Sequence, residues 1–304
     1  MLKEYKPYIS GLIYSSIFGL SFMVTKNVLD HIKPFHFLGL RFLIAALLMT
    51  LLIQLKIVKV NYKNKSIKPI LFLSLLQPIT YFTGEIYGVK NITSSQAGMM
   101  IALIPIFVTI FSAIFLKEYV NFKQVICIIS SVAGVLIITL MQSGVNGDSK
   151  LIGYVFIMGA VLAGAGFSVS SRKLSINYKP FELTYIMMIV GAIFFNILGI
   201  SQVGASNYFE PFMDTNVITA LLYLAFLSSI IAFGLLNYTL SKIPAARASL
   251  FANLTTIISI VAGVVFRGEP FYWFHFIGGL MIILGVIGVN KFARKTTVKY
   301  LGEK

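Results

Sequence analysis

The chain has 304 residues, of which 58% are hydrophobic and only 12% charged. A soluble domain usually carries about 25% charged residues, so this chain lacks the means to cover a water-facing surface and an ordinary soluble enzyme is excluded. The net charge of +15 would suit nucleic acid only if the basic residues gathered in one folded patch, and they are instead spread over separate loops.

Read in chain order, ten apolar stretches fall at roughly residues 7–25, 35–55, 69–90, 95–116, 121–140, 151–171, 181–201, 216–239, 244–266 and 271–290. Each can cross a hydrocarbon core of about 30 Å as a helix rising 1.5 Å per residue. Barrel strands would need about ten residues of alternating polarity, and these runs are continuously apolar. Lys- and Asn-rich 56–68, Gly/Ser-rich 142–150 and polar 202–215 connect neighbouring stretches. The first stretch is followed by further spans and not by a small-residue cleavage site, so it reads as a retained helix. The expected class is an all-α integral membrane protein of ten transmembrane helices, with the lipid bilayer as its solvent. Cys127 is the single cysteine, which rules out an internal disulfide and a Cys-based metal cluster.

Charge sets the expected orientation. With the N-terminus cytoplasmic, nineteen of the 25 Lys and Arg residues fall on the inner segments, five on the outer ones, and Arg41 inside a span. That is a strong positive-inside bias. It places both termini in the cytoplasm and makes 291–304 a basic cytoplasmic tail.

An internal repeat appears at an offset of 151: Tyr87 aligns with Tyr238, Ile92 with Ile243, Ala97 with Ala248, Glu118 with Glu269 and Gly134 with Gly285. A weaker match at offset 147 pairs Gly19 with Gly166 and Lys26 with Lys173. Residues 1–140 and 151–290 therefore read as two five-helix copies. Five is odd, so the second copy enters the membrane from the opposite side, an architecture of secondary transporters. Two inverted halves can exchange conformations, as alternating access requires.

The segments GLSFMVTK at 19–26, GLRF at 39–42, YGVKNITSSQAGMMIALIPIF at 87–107 and FLKEYVNFKQVICIISSVAGVLI at 115–137 have second-half counterparts in LSKIPAARASLFANL at 240–254 and FRGEPFYWFHFIGGLMIILGV at 266–286. In order and spacing the chain resembles the drug/metabolite transporter superfamily, specifically its ten-helix EamA-type exporters. The resemblance implies ten helices, cytoplasmic termini, a cavity between the halves, and export of amino acids, other metabolites or drugs. Members often have proline in both copies where this chain has Pro105 in the first and Thr256 in the second, so a matching kink in the ninth helix is in question.

Two charges lie clearly inside spans, Arg41 and Glu85. Either would cost at least roughly 2.5–3.5 kcal/mol unpaired at mid-bilayer, so both are expected to face the bundle interior. Their depths match, which places them to pair. Glu85 is a candidate for solute binding or proton coupling, against a purely structural ion pair. Tyr14, Gln77, Tyr81, Ser168, Asn196, Asn237 and Asn253 are uncharged candidates for the solute path, each also readable as an interhelical hydrogen bond. Gly84 and Gly88 form a GxxxG that reads as close packing. Glu118 and Glu269 sit in short turns and read as helix caps. His31, His36 and His275 are too scattered for a metal site, and no motif calls for a cofactor. The expected function is a secondary transporter and not an enzyme, taking a small-molecule solute. A membrane-embedded lipid-modifying enzyme or a channel is the alternative.

Overall fold

A computed structural model describes residues 2–116, 121–146, 151–243, 245–249 and 251–292. The helices are α1 (Leu2–Val28), α2 (Pro34–Gln54), α3 (Lys68–Ser74), α4 (Tyr81–Asn91), α5 (Ser94–Ile101), α6 (Ile104–Leu116), α7 (Phe122–Asn146), α8 (Leu151–Leu174), α9 (Pro180–Val203), α10 (Thr215–Leu222), α11 (Phe233–Lys242), α12 (Ala245–Ala248), α13 (Phe251–Arg267) and α14 (Trp273–Lys291). No strand occurs among the described residues. That follows from composition: in hydrocarbon every backbone polar group needs a partner, and a helix supplies them within one segment.

Among the described residues, six helical stretches are long and apolar enough to cross a membrane: Tyr5–Val28, Pro34–Gln54, Ser94–Phe115, Leu151–Leu174, Pro180–Val203 and Thr215–Lys242. Three more, Phe122–Ile138, Leu254–Arg267 and Trp273–Gly285, are apolar but shorter. The stretch expected at 69–90 is broken. A wide-turn segment, Leu75–Thr80, separates α3 from α4, and Gln77 within it is extended at φ −149°, ψ 117° ahead of a cis bond to Pro78. Proline has no N–H to give and its ring clashes with the preceding turn. A second wide-turn segment, Tyr223–Ala232, joins α10 to α11. The stretch at 95–116 divides at Ala102–Leu103, just before Pro105. By contrast α13 runs unbroken through Thr256, whose hydroxyl donates to Gly98 O of α5 at 2.7 Å.

Helix α2 lies along α9, α7 along α14, α4 on α8, and α1 against both α11 and α13. The α2–α9 pair is antiparallel. Near one end Lys33 Nζ donates to Gln202 O at 2.9 Å, and near the other Lys65 Nζ meets Glu182 Oε2 at 2.6 Å. At the Gln202 end, Lys26 Nζ donates to the carbonyls of Val89, Lys90 and Ile92 at 2.7–3.0 Å, finishing α4. At the Glu182 end, Arg172 Nη1 donates to Leu240 O and Ser241 O at 2.9 and 2.8 Å, finishing α11. A cation near a helix C-terminus satisfies free carbonyls and the negative end of the dipole together.

Gly84 and Gly88 let α4 approach α8. A Cβ on Gly84 would lie 2.5 Å from Phe156 O, and one on Gly88 would lie 2.4 Å from Ile157 Cδ1. Glu118 and residues 293–304, which hold most of the expected basic tail, lie outside the described residues.

Candidate functional site

A cavity of about 90 Å³ lies inside the bundle. Its polar wall comes from Tyr14 and Ser21 of α1, Arg41 of α2, Gln77 of the wide-turn segment, Tyr81 and Glu85 of α4, and Ser168 of α8. Six of the nine residues singled out from sequence therefore meet around one space. The broken turn at Gln77–Pro78 brings Gln77 to that wall, at the one point where the α3–α4 stretch leaves helical geometry. Phe18, Phe82, Phe167 and Phe233 supply the apolar wall. Phe233 is its hub, with ring centroids 5.2, 5.9 and 6.4 Å from Phe18, Phe82 and Phe167.

Arg41 is 1% exposed. Its Nε donates to Ser229 Oγ at 3.0 Å and its Nη2 to Ser228 Oγ at 3.1 Å. Its guanidinium carbon stands 4.5 Å from the Phe82 ring centre, a cation–π contact strengthened where water is excluded. The direct pairing with Glu85 expected from depth is not formed: no Arg41–Glu85 contact within 4.0 Å occurs among the described residues. Serines and a ring take the place beside Arg41 that a carboxylate was expected to fill. Glu85 is 5% exposed, and its Oε2 has no hydrogen-bond partner among the described residues. Buried polar groups are nearly always bonded. Glu85 Oε2 is an exception to that rule, on a residue that lines the cavity. Arg41 offers positive charge to the same space. Tyr14 is already engaged at its hydroxyl, which donates to Ala248 O at 3.1 Å.

The asparagines behave differently. Asn196 Nδ2 donates to Gly39 O and Ala192 O at 3.0 and 2.6 Å, and its Oδ1 accepts from Tyr208 at 2.6 Å. Asn237 Nδ2 donates to Thr184 Oγ1 at 2.9 Å while its Oδ1 accepts from Ser171 at 2.8 Å. Both are used up in holding helices together and neither lines the cavity. The side chain of Asn253 lies outside the described residues. Ser228 and Ser229 were missed from sequence. Their signal was present, as adjacent hydroxyls in an apolar run, but nothing in the run said that they face Arg41.

Glu269 also differs from expectation. It does not cap the helix that follows it. Its Oε1 accepts from Ser94 N and Oγ at 2.9 and 2.6 Å, and its Oε2 from Ser95 N and Oγ at 2.9 and 2.6 Å. It thus caps α5, 175 residues away in sequence. Burial pushes this carboxyl up, but the bonds from Ser94 and Ser95 outweigh it and hold it below the usual carboxylate range.

Residues 6–140 and 151–291 each match the EamA-like transporter family. The chain is 38% identical over 295 residues to the uncharacterized transporter YcxC of Bacillus subtilis (strain 168), covering 95% of this chain and 94% of the relative. It is 22% identical over 301 residues to a Salmonella typhimurium protein named a probable amino-acid metabolite efflux pump, covering 96% and 97% of the two. A solved crystal structure with 16% sequence identity superposes with a TM-score of 0.67 over 94% of this chain and 96% of that one.

Proposed function

We propose that this chain, which belongs to the EamA-like transporter family, exports a small organic solute from the cytoplasm by alternating access. It is a multi-pass membrane protein. The observation that carries the reading is the pair of unlike charges on one buried cavity wall, Arg41 and Glu85, which form no ion pair within 4.0 Å, with Glu85 Oε2 lacking a hydrogen-bond partner among the described residues. A channel would not keep them so enclosed, and a lipid-modifying enzyme would need clustered acid/base or metal ligands. A zwitterion of amino-acid size, a related metabolite or a drug-like amine would answer this wall. The efflux-pump relative supports testing amino acids first.

Ten spans in two inverted five-helix copies are the architecture we attach to this function. Several features support it. The family matches the two halves separately. The wide-turn segments Leu75–Thr80 and Tyr223–Ala232 overlap at the offset of 151. Helices α4 and α11 end at Asn91 and Lys242, related by that offset. The carbonyls taken by Lys26, at Val89 and Lys90, and those taken by Arg172, at Leu240 and Ser241, are related by it too.

In proteoliposomes preloaded with unlabelled solute, the parent protein is expected to accumulate labelled solute against its gradient by counterflow. Fast equilibration without accumulation would identify a channel, and no flux of any amino acid, nucleoside or cationic drug would remove the transport reading. The positive-inside bias supports cytoplasmic termini. With Cys127→Ser as background, Ser66→Cys should therefore react with an impermeant reagent only from the cytoplasmic side and Ser206→Cys only from outside. Both positions are exposed in loops, and labelling of Ser66→Cys on intact cells would invert the topology.

A further inference from the structure

The seam between α5 and α13 covers the cavity toward the Glu269 end. Ile101 of α5 and Thr255 of α13 line the cavity. From there the two helices stay bonded toward that end: Thr256 Oγ1 donates to Gly98 O at 2.7 Å, Ser259 Oγ donates to Ser94 O at 2.8 Å, and Glu269 takes four bonds from Ser94 and Ser95. Ser94 lies seven residues from Ile101, so about 10 Å of sealed seam separates the cavity from the end of the bundle. Small residues make the seal possible. A Cβ on Gly98 would stand 2.5 Å from Ser259 Oγ, and one on Gly263 would stand 2.2 Å from Glu269 Oε2 and 2.3 Å from Ser95 Oγ.

We propose that Glu269, held by Ser94 and Ser95 across the seam between the two halves, is the latch that keeps the cavity closed at this end. Solute can leave or enter there only when those four bonds break together. The latch lies in polar hydrogen bonds because such bonds can be exchanged for water when the seam opens, whereas an apolar seam would expose hydrocarbon to water on every cycle. All four bonds fall on one carboxylate and two adjacent residues, so a single separation releases them. Glu269 is a positioning residue and touches no solute. Its role in transport rests on the proposed function; its role as a closure does not.

The test uses a reporter, Ser21→Cys on the cavity wall, in full-length Cys127→Ser protein labelled with an impermeant thiol reagent from each side of oriented vesicles. In the parent the reporter should react poorly from the Glu269 side. Glu269→Gln keeps the shape but turns an amide N–H₂ toward donors. Losing even one charge-assisted bond shifts a two-state equilibrium by about tenfold or more, and labelling from the Glu269 side should rise by that factor. Ser94→Ala with Ser95→Ala should give the same one-sided rise, as should Gly263→Ala. If Glu269→Gln does not fold, the serine pair supplies the measurement. Folded variants whose labelling from the Glu269 side is unchanged would overturn the latch, as would an equal rise from both sides. If the parent shows no counterflow while the reporter still changes side, the transport reading falls and the latch stands.

Discussion

Replacing Glu85 with glutamine is expected to cut transport by at least about tenfold while leaving the protein as stable as the parent, or more so. The carboxylate is buried with Oε2 unpartnered, so its charge carries a desolvation cost that the Arg41 charge, beyond ion-pair distance, offsets only in part. Glutamine removes that cost and keeps the volume. What is lost is a charged acceptor for the solute, roughly 1.5–3 kcal/mol or 10–150-fold. Arg41→Ala should behave in the opposite way. It deletes the bonds to Ser228 and Ser229 and the contact over Phe82, and leaves a void among buried side chains. A loss of about 2–4 kcal/mol in stability is expected. Thermal unfolding in detergent together with counterflow in liposomes separates the two. Parent-like transport by Glu85→Gln would take Glu85 out of the solute path, and a marked drop in its melting temperature would make it structural. If Glu85 instead carries the coupling proton, the variant should keep solute exchange and lose only pH-driven accumulation.

The second large effect is expected at the α4–α8 contact. Gly84→Leu should prevent assembly, and Gly84→Ala should cost about 2–3 kcal/mol, because the added carbon meets the backbone at Phe156 O and Ala160 N, at 2.5 and 3.0 Å, which cannot step aside. Gly88→Ala is the informative contrast. Its new carbon meets the end of the Ile157 side chain, which can change rotamer, and alanine favours helix over glycine by about 1 kcal/mol. Near-parent stability is expected there. Yield of monodisperse protein and its melting temperature provide the readout. If the two alanine variants proved equally mild, close packing at Gly84 would be wrong.

How much of this could be read from the chain depends on the kind of interaction. Class, helicity and the burial of Arg41 and Glu85 were legible, because hydrocarbon penalises any charged group that faces it; that Tyr14, Gln77, Tyr81 and Ser168 meet around the same space was not. Gly84 and Gly88 announced a close contact, whereas the span expected at 69–90 ran straight through the break at Gln77–Pro78. Most helix ends were legible to within about three residues, but α1 begins at Leu2 and α7 ends at Asn146, five and six residues beyond the stretches read at 7–25 and 121–140. The partners were not legible. Depth along two spans placed Arg41 beside Glu85, but depth fixes one coordinate, and rotation about each helix, set by neighbouring side chains, turned Arg41 onto Ser228, Ser229 and Phe82. Asn196 and Asn237 looked like Gln77 in sequence. Whether an amide faces a cavity or a hydroxyl on the next helix depends on about 100° of rotation per residue and on which helix is the neighbour. Glu269 read as a cap for its own helix, since capping is normally local. Only the packing of α13 against α5 brought the N–H groups of Ser94 and Ser95 within its reach. The sequence by itself determined what must be buried and in what form; the tertiary structure alone decided which buried group meets which, because that choice is made by side-chain contacts between segments far apart in the chain.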